Sequence, residues 1–299
     1  MVNNILLTGS NGFLGSYIME EYKKFSITGL NRAKSYYSLD LSKTIPIFDE
    51  SFDLVIHCAG IAHSIPINEF ESKSFFDFNV NGTNNLLSGL SKITLPKQFV
   101  FISSVSVYGA FKGEKINEES PLLAEDPYGK SKIVAEDIIT KWCSVNNVVC
   151  TILRLPLIVG SNPPGNLGAM INAIRKGFYF NISNGKALKS MVLATDIAKC
   201  IPMVAEIGGT FNLTDGIHPS FRELSKYIAD KLGRKFVPNL PMFAANLLAI
   251  IGDKLGPKFP INSNKLIKIT STLTFDDSKA RETFGWSPTS VLKGFIINE

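Results

Sequence analysis

The sequence predicts an α/β fold, in which helices cover both faces of a doubly wound parallel sheet and a smaller mixed α/β lobe follows toward the C-terminus. Two observations predict it. Short apolar, strand-like runs alternate with helix-like segments through the first two thirds of the 299 residues, and a glycine-rich turn joins the first run to the first helix-like segment. Strands that alternate with helices form right-handed crossovers, which make neighbouring strands parallel.

The predicted elements follow one another regularly along the chain. The expected strands are 2–7, 26–30, 54–57, 99–102, 148–153 and 210–213, and the expected helices between them are 13–22, 79–90 and 128–142. Residues 190–204 predict a strand followed by a helix. Ser220 and Glu223 have the spacing of a capping box, ahead of an amphipathic helix that extends to Leu232.

The loop GSNPPGNLG, at 160–168, marks a change in the pattern. Pro and Gly interrupt regular structure there, so a boundary is expected. We expect one domain from residues 1–160 and about 188–215, and a second lobe from about 161–187 and 216–299.

Charge and composition exclude some classes of function. The formal net charge is +5, and the Lys and Arg residues form no dense run. A nucleic acid is therefore not an expected partner, whereas an anionic small molecule is compatible with this charge.

The cysteines indicate a reducing compartment. Cys58, Cys143, Cys150 and Cys200 lie far apart and lack metal-ligand spacing, so free thiols and no metal site are expected. The N-terminus lacks a basic region and a cleavage site, which favours a cytoplasmic protein.

One apolar stretch, 240–251, is too short to span a membrane and is interrupted by Asn246. Core packing in the second lobe is the expected use of this stretch. Contact with a lipid is the alternative.

The turn TGSNGFLG contains Gly9, Gly12 and Gly15, directly between a strand and a helix. The first glycine permits a tight turn, the second permits close approach of a pyrophosphate, and the third lets helix and strand pack. A Rossmann-like dinucleotide site is predicted, and a purely structural turn is the alternative.

The end of the second predicted strand indicates which dinucleotide binds. An acid is usual at this place, but Asn31 and Arg32 stand there. A cation suits a 2′-phosphate, so NADP is favoured and NAD stays possible. Asp40 and Leu41 are candidates for contact with the adenine, although Asp40 is also compatible with an exposed loop.

Tyr128 and Lys132 are one turn apart on a predicted helix. A nearby cation lowers a phenol pKa, so this pair is suited to proton transfer near neutral pH. Ser104 ends the preceding strand and is placed to bind the same substrate oxygen. The alternatives are a surface pair for Tyr128 and Lys132, and turn capping for Ser103, Ser104 and Ser106.

Several motifs occur together in order along nearly the whole chain: TGSNGFLG at 8–15, HCAG at 57–60, NVNGTNNLL at 79–87, SSVSVYG at 103–109, YGKSK at 128–132, LRLPLIVGSNPPGN at 153–166, KSMVLATDIAKCI at 189–201 and DDSKARETFGWSP at 276–288. As a set they resemble the extended short-chain dehydrogenase/reductase family, of the NAD-dependent epimerase/dehydratase type.

The resemblance implies roles for particular residues. Tyr128 is the implied proton donor or acceptor, Lys132 binds the nicotinamide ribose, and Ser104 orients the substrate. The expected cofactor-binding residues are Gly9, Asn11, Gly12, Phe13, Leu14, Gly15, Asn31, Arg32, Asp40, Leu41, Ala59, Gly60, Asn79, Tyr128, Lys132 and Pro156. The expected substrate-binding residues are Ser104, Ser106, Asn166 and Lys189.

The resemblance also narrows the reaction. Dehydratases of the family need an Asp-Glu pair after the catalytic Ser or Thr, and Val105 and Ser106 stand here instead. Reduction of a UDP-4-keto-6-deoxy-(N-acetyl)hexosamine in surface-polysaccharide biosynthesis is favoured, because no acid stands at Asn31. The alternatives are a nucleotide-sugar 4-epimerase with tightly bound NAD and a non-catalytic NADP-binding regulator.

Two further expectations come from relatives. Lys189 replaces an Arg that faces the substrate diphosphate, which removes a bidentate contact. A homodimer through the helices near Leu86 and Ile138 is also expected.

Overall fold

The computed structural model describes residues 4–62, 69–256, 259 and 261–297. In chain order its strands are β1 (Asn4–Thr8), β2 (Ser26–Asn31), β3 (Tyr37–Ser38), β4 (Leu54–His57), β5 (Gln98–Ser104), β6 (Gly113–Ile116), β7 (Val149–Leu155), β8 (Leu157–Val159), β9 (Asn181–Ile182), β10 (Met191–Leu193), β11 (Gly209–Asn212), β12 (Asn239–Leu240) and β13 (Leu273–Phe275). Its α-helices are α1 (Phe13–Glu21), α2 (Glu69–Phe76), α3 (Gly82–Leu90), α4 (Pro127–Val145), α5 (Gly165–Lys176), α6 (Ala194–Ile207), α7 (Phe221–Lys231), α8 (Met242–Leu255), α9 (Ser263–Thr270), α10 (Ser278–Phe284) and α11 (Val291–Gly294).

Seven strands form the central sheet, in the order β11-β7-β5-β4-β1-β2-β3. Every neighbouring pair in this sheet is parallel. The chain passes from β1 to β2 on one side and returns to β4 on the other, so the direction of winding reverses at β1. Ligands of open parallel sheets bind at such a reversal, beside the carboxyl ends of the strands. The predicted fold class is confirmed.

Apolar side chains pack on both faces of the sheet. On one face, Ile5 and Leu7 of β1 pack with Ile18 of α1 and Ile201 of α6. On the other face, residues such as Leu6 pack with α3 and α4. A parallel strand covered on both faces must be apolar throughout, which explains the continuous run at 5–7.

Most predicted elements are present, with shifts at their ends. The predicted helix 79–90 is divided: a π-helical turn occupies Asp77–Asn81, and α3 begins at Gly82. The predicted capping box is confirmed, because Ser220 Oγ accepts from the Glu223 N–H and the Glu223 carboxylate accepts from the Ser220 N–H. Predicted strand 2–7 starts outside the described residues.

A separate apolar cluster joins α5 and α7 to the end of the chain. Its members include Leu167, Ile171, Leu224, Ile228 and Phe295. Ala280 and Trp286, which the sequence assigned to the second lobe, instead pack in the cluster beneath α1 and α6. The end of the chain therefore contributes to both groups of elements.

The 240–251 stretch does not pack as expected. Only Ala245 and Ala249 among its residues are buried, and Leu240 is half-buried, whereas its other bulky apolar side chains are exposed. None of the helices in the described part of the chain is long and apolar enough to cross a bilayer.

Leu86 and Ile138 lie on the two helices of the expected dimer. Leu86 is fully buried, and Ile138 packs against the same apolar cluster. The homodimer through these helices stays a prediction. The four cysteines are free thiols, with Cys143 and Cys200 buried.

Candidate active site

The glycine turn connects β1 to α1 and makes a backbone cradle. Gly9 has φ of 71°, and a Cβ there would lie 2.8 Å from the Ala59 nitrogen. A Cβ on Gly15 would lie 2.1 Å from the Gly9 carbonyl oxygen. Gly12 precedes α1, which has no side-chain cap. The first N–H groups of this helix therefore face the cradle, and a helix N-terminus of this kind attracts phosphate.

A cleft opens above the cradle, at the carboxyl ends of β1, β2 and β4. Nine predicted cofactor residues line it: Gly9, Asn11, Gly12, Asn31, Arg32, Asp40, Leu41, Ala59 and Gly60. Six residues outside the predicted set also line it: Leu30, Leu39, Ser42, Cys58, Ile61 and Phe78. Strand ends and their following loops supply both sets, so strand pairing brings them together.

One wall of the cleft is the loop after β2. Asn11 Nδ2 donates to the carbonyl oxygens of Ala33 and Lys34, at 2.8 and 3.2 Å, which fixes this loop against the glycine turn. The exposed Arg32 guanidinium lies 5.4 Å from the Phe78 ring centroid. Asp40 Oδ1 accepts from the N–H and hydroxyl of Ser42.

A buried polar chain links the carboxyl ends of β1 and β4 to α3. Thr8 Oγ1 lies 2.7 Å from His57 Nδ1, and His57 Nε2 lies 3.0 Å from Thr83 Oγ1. The Ala59 N–H donates to Thr8 Oγ1 at 3.1 Å. Burial and nearby Lys132 lower the pKa of His57 to about 3, so the imidazole stays neutral. Sequence reasoning did not identify this role of His57.

Asn79 holds the segment that follows β4. Its amide exchanges two hydrogen bonds with Ile61, at 2.9 and 3.3 Å, and donates to Ser131 Oγ at 2.9 Å. A Cβ on Gly60 would lie 2.7 Å from Asn79 Oδ1. The glycine is thus required for Asn79 to approach, and Asn79 joins the cleft to α4.

Tyr128 and Ser104 meet at the carboxyl end of β5. Asp126 caps α4 by accepting from the Gly129 N–H at 3.0 Å, which starts the helix just before Tyr128. Burial raises the pKa of the Tyr128 phenol, and its hydrogen bond with Ser104 opposes this rise. The sequence predicted a lowered pKa, but the desolvation of the phenol is the larger effect. Ser104 also accepts from the Ser106 N–H, so it caps the following turn as well.

Lys132 lies beneath the cleft rather than on the surface. Its Nζ donates to the Ile102 carbonyl oxygen at 2.8 Å and lies 4.5 Å from the Phe101 ring centroid. It also lies near Gly60, 3.7 Å from where a Cβ would stand. Burial lowers the pKa of Lys132 to about 8. The amine is therefore directed at the floor of the dinucleotide cleft.

A buried ion pair anchors α4 one turn beyond Lys132. Glu136 Oε2 accepts from Arg154 Nη2 at 2.8 Å, and both side chains are less than a tenth exposed. Ser103 Oγ donates to the same carboxylate, and Arg154 Nη1 donates to the Tyr108 hydroxyl at 3.1 Å. The network connects the end of β5 to α4 and β7, which sets the position of Tyr128 relative to Ser104.

The other predicted residues have mixed surroundings. The Leu14 side chain packs in the core, so only its backbone is available to a cofactor. Phe13 packs edge-on against Tyr17, and Pro156 is half-buried between β7 and β8. Asn166 is exposed in the first turn of α5.

Lys189 is half-buried beside β13. Burial and the neighbouring Lys268 ammonium lower its pKa to about 8. Neither Lys189 nor Asn166 lines the dinucleotide cleft. Because the ammonium groups of Lys189 and Lys268 repel each other, an anion is a suitable partner for them. Their surroundings are therefore a candidate subsite.

Known proteins resemble this chain over its whole length. It is 26% identical to the N-acetyl-α-D-glucosaminyl-diphospho-ditrans,octacis-undecaprenol 4-epimerase of Escherichia coli O157:H7, over 98% of this chain and 93% of that protein. It is also 26% identical to a UDP-glucose 4-epimerase of Vibrio cholerae, again over 98% and 93%.

Solved structures share the fold. The UDP-glucose 4-epimerase of Thermotoga maritima with UDP-glucose has a TM-score of 0.74 at 21% identity, over 97% of this chain and 96% of that one. RMD from Pseudomonas aeruginosa complexed with NADPH has a TM-score of 0.72 at 20% identity, with the same coverage.

The model of the NAD-dependent epimerase/dehydratase family matches residues 5–213, which include the glycine turn, Ser104, Tyr128 and Lys132. The chain belongs to this family of NAD-dependent enzymes.

Proposed function

We propose that this protein is a 4-epimerase acting on a hexose or N-acetylhexosamine joined to a diphosphate. The observation that carries the proposal is the interaction of Tyr128 with Ser104 at the end of β5, together with Lys132, one turn further along α4, whose Nζ lies near Gly60 of the dinucleotide cleft. The two full-length 4-epimerase relatives support it. The sequence slightly favoured a reductase, whereas these relatives favour an epimerase.

The residues of the cleft fit a dinucleotide. The glycine cradle has no room for a Cβ at Gly9 or Gly15, and the uncapped start of α1 offers N–H groups to a pyrophosphate. We assign Gly60 and Lys132 to the nicotinamide ribose. When bound, the dinucleotide supplies hydride transfer at C4 of the sugar.

Tyr128 transfers the proton of the C4 hydroxyl, and Ser104 positions the oxygen that carries it. In its phenolate form, which burial disfavours and the Ser104 hydroxyl stabilises, Tyr128 removes the proton from the C4 hydroxyl as the C4–H bond breaks. The phenol returns this proton after the ketone has presented its other face. Ser104 donates a hydrogen bond to the same oxygen and keeps it within reach of Tyr128. A proton carrier fixed in this way contributes roughly 10²–10⁴-fold to rate.

The candidate subsite around Lys189 is proposed to bind the diphosphate. The Lys268 ammonium contributes to the lowered pKa of Lys189, and a bound diphosphate would relieve this repulsion. Asn166 and Ser106 are proposed to contact the substrate on either side.

A 4-ketoreductase that uses NADP(H) is the second candidate function. The observation that favours it is the rim of the cleft, where Asn31 and Arg32 stand and an acid does not. A guanidinium there suits a 2′-phosphate, and NADPH is an expendable reductant.

The nucleotide carried by the purified protein and its product distinguish these candidates. We expect a dinucleotide that survives dialysis, and conversion of UDP-N-acetylglucosamine or UDP-glucose to the C4 epimer without added cofactor, detected by ¹H NMR. Stoichiometric NADPH loss with a UDP-4-keto sugar and no epimer formation would instead establish the reductase. A bound dinucleotide with turnover of neither substrate would refute both candidates.

A further inference from the structure

Helix α8 buries its small residues and exposes its large apolar residues, which is the reverse of an ordinary surface helix. Its small residues Ala245, Ala249 and Gly252 face the protein, where a Cβ on Gly252 would lie 1.8 Å from the Ile261 carbonyl oxygen. Its large apolar residues face outward. Phe243 is 78% exposed and Leu247 is 62% exposed. Surface helices normally bury their large apolar residues, so this arrangement requires an explanation.

The exposed apolar residues are concentrated in one region. Residues 231–270 hold nine of the large apolar side chains that are exposed in the described part of the chain: Phe236, Met242, Phe243, Leu247, Leu248, Ile250, Ile251, Leu255 and Ile267. Seven of them lie on α8, Phe236 precedes β12 and Ile267 lies on α9; we call all nine the α8 face. A patch of this kind marks an interaction site rather than chance exposure.

The same region carries the positive charge of the chain. Residues 231–270 contain seven of the 31 Lys and Arg residues but one of the 26 acidic residues, so the other 259 residues are close to neutral. Arg234, Lys235, Lys254 and Lys268 are exposed. The single acid, Asp253, accepts from the Ser263 N–H at 3.0 Å. Exposed large apolar groups in a segment that is also rich in cations match an anionic lipid surface.

We propose that the α8 face docks the protein on the surface of a bilayer that contains anionic lipid. The 14 residues of α8 span about 21 Å, which is shorter than the hydrocarbon core. The helix therefore lies in the plane of the headgroups. Its apolar side chains enter the boundary of the acyl region, and the lysines and arginines pair with phosphates.

A second copy of the chain is a poorer occupant of this face. Two-fold pairing presents the same patch to itself, so two surfaces rich in cations would be brought together. An anionic bilayer has the opposite charge and no such cost.

The α8 face also adjoins the proposed diphosphate subsite. Ala245 and Ala249 pack with Leu266 of α9, and Lys268 of the same helix is the neighbour that lowers the pKa of Lys189. Docking thus brings the second lobe to the membrane along the side that carries these cations. The proposal concerns this surface alone and stands whether the enzyme is an epimerase or a reductase.

Co-sedimentation of the full chain with vesicles tests the proposal. Vesicles of phosphatidylcholine with about a third phosphatidylglycerol should bind the protein at low salt, and pure phosphatidylcholine vesicles should bind it far less. Raising the ionic strength shortens the range of the attraction to about 3 Å near 1 M, so binding should weaken.

Matched variants separate the two contributions. The double variant Phe243→Ser, Leu247→Ser should lower the vesicle partition coefficient roughly tenfold or more, because two apolar insertions are lost. Lys235→Gln with Lys254→Gln should also lower it. Ile47→Ser, at an 84% exposed site before β4, and Lys24→Gln with Lys92→Gln should leave it unchanged.

Turnover of a water-soluble substrate should be the same in all these variants, which separates this proposal from the proposed function. Absence of binding to anionic vesicles would overturn the proposal. So would equal binding by the Phe243, Leu247 variant and the Ile47 variant. A dimer in sedimentation velocity that this double variant abolishes, without vesicle binding, would assign the face to a second copy instead.

Discussion

Tyr128 sits where burial and hydrogen bonding oppose each other. The low polarity around the phenol raises its pKa, and the Ser104 hydroxyl stabilises the phenolate. Lys132, which the sequence expected to lower the phenol pKa directly, instead donates to the Ile102 carbonyl beneath the cleft. Ser104 is therefore the group that favours the phenolate.

Replacing Tyr128 with Phe should reduce turnover by roughly 10³-fold, because the ring remains and the proton carrier is lost. Affinity for the dinucleotide, measured by isothermal titration calorimetry, should change less than about twofold, which corresponds to about 0.4 kcal/mol. Tyr36→Phe, at an exposed site, is the control and should retain full turnover. Wild-type turnover in Tyr128→Phe would remove Tyr128 from the mechanism.

Lys189 gives a second test at this scale. Lys189→Met should raise KM for the diphosphate-linked sugar about tenfold and leave kcat nearly unchanged, because a charge-assisted contact is worth about 1.5–3 kcal/mol. Lys189→Arg should keep KM near the wild-type value, and Lys186→Met, at an exposed position, should have no effect. An unchanged KM in Lys189→Met would place the diphosphate elsewhere.

Among the elements, the turn between β1 and α1 has the least tolerance for change. The Gly9 carbonyl oxygen is within 2.1 Å of where a Gly15 Cβ would stand, so any side chain at Gly15 must displace the turn. The displaced backbone is the part that faces the dinucleotide.

Gly15→Ala should weaken dinucleotide binding by at least about tenfold while the far-UV circular dichroism spectrum is preserved, because the cradle moves and most packing is untouched. Gly82→Ala, where a Cβ meets its nearest neighbour at 3.6 Å, is the matched control. Undiminished affinity in a folded Gly15→Ala protein would show that this turn does not hold the dinucleotide.

The regular elements could be predicted because each carries a local signal. Apolar runs gave the strands, and the Ser220–Glu223 spacing gave the start of α7. Periodicity did not reveal the π-helical turn at Asp77–Asn81, which depends on how Asn79 reaches Ile61 and Ser131. It also did not reveal that α8 exposes its large residues. An apolar stretch indicates burial, but it does not show whether the chain itself or another surface covers the apolar side chains.

Motifs predict some of the candidate site residues, whereas others are brought together only by tertiary contacts. The glycine turn, Ser104, Tyr128 and Lys132 come from recognisable spacings. The pair of Glu136 and Arg154 lies 18 residues apart, and no short motif connects them. Only the neighbouring positions of α4 and β7 in the folded chain bring these two charges together.

At the scale of the whole molecule, buried hydrogen bonds between strand ends contribute to the stability of the fold. His57 joins β1, β4 and α3 through Thr8 and Thr83, and burial keeps it neutral. Its pKa of about 3 in the folded chain is below the ordinary 6.5. As pH falls below 6.5, the unfolded chain binds this proton first, so the stabilising contribution of neutral His57 is lost progressively toward pH 3.

Denaturant titrations should therefore show the unfolding free energy falling between pH 6 and pH 4. The contribution of His57 to this slope approaches about 1.4 kcal/mol per pH unit, and His57→Gln should reduce the slope by that amount. His218→Gln, at a more accessible histidine, should reduce it less. Equal slopes in wild type and His57→Gln would contradict the assignment of a neutral buried imidazole.

The fate of the hydrogen at C4 tests the central claim most directly. The purified protein is incubated with UDP-N-acetylglucosamine or UDP-glucose in D₂O, and the product is analysed by ¹H NMR and mass spectrometry. The proposed chemistry predicts the C4 epimer with its C4 hydrogen retained, because that hydrogen never exchanges with solvent while Tyr128 handles only the hydroxyl proton. Deuterium at C4 of the product, or no epimer from either substrate, would contradict it.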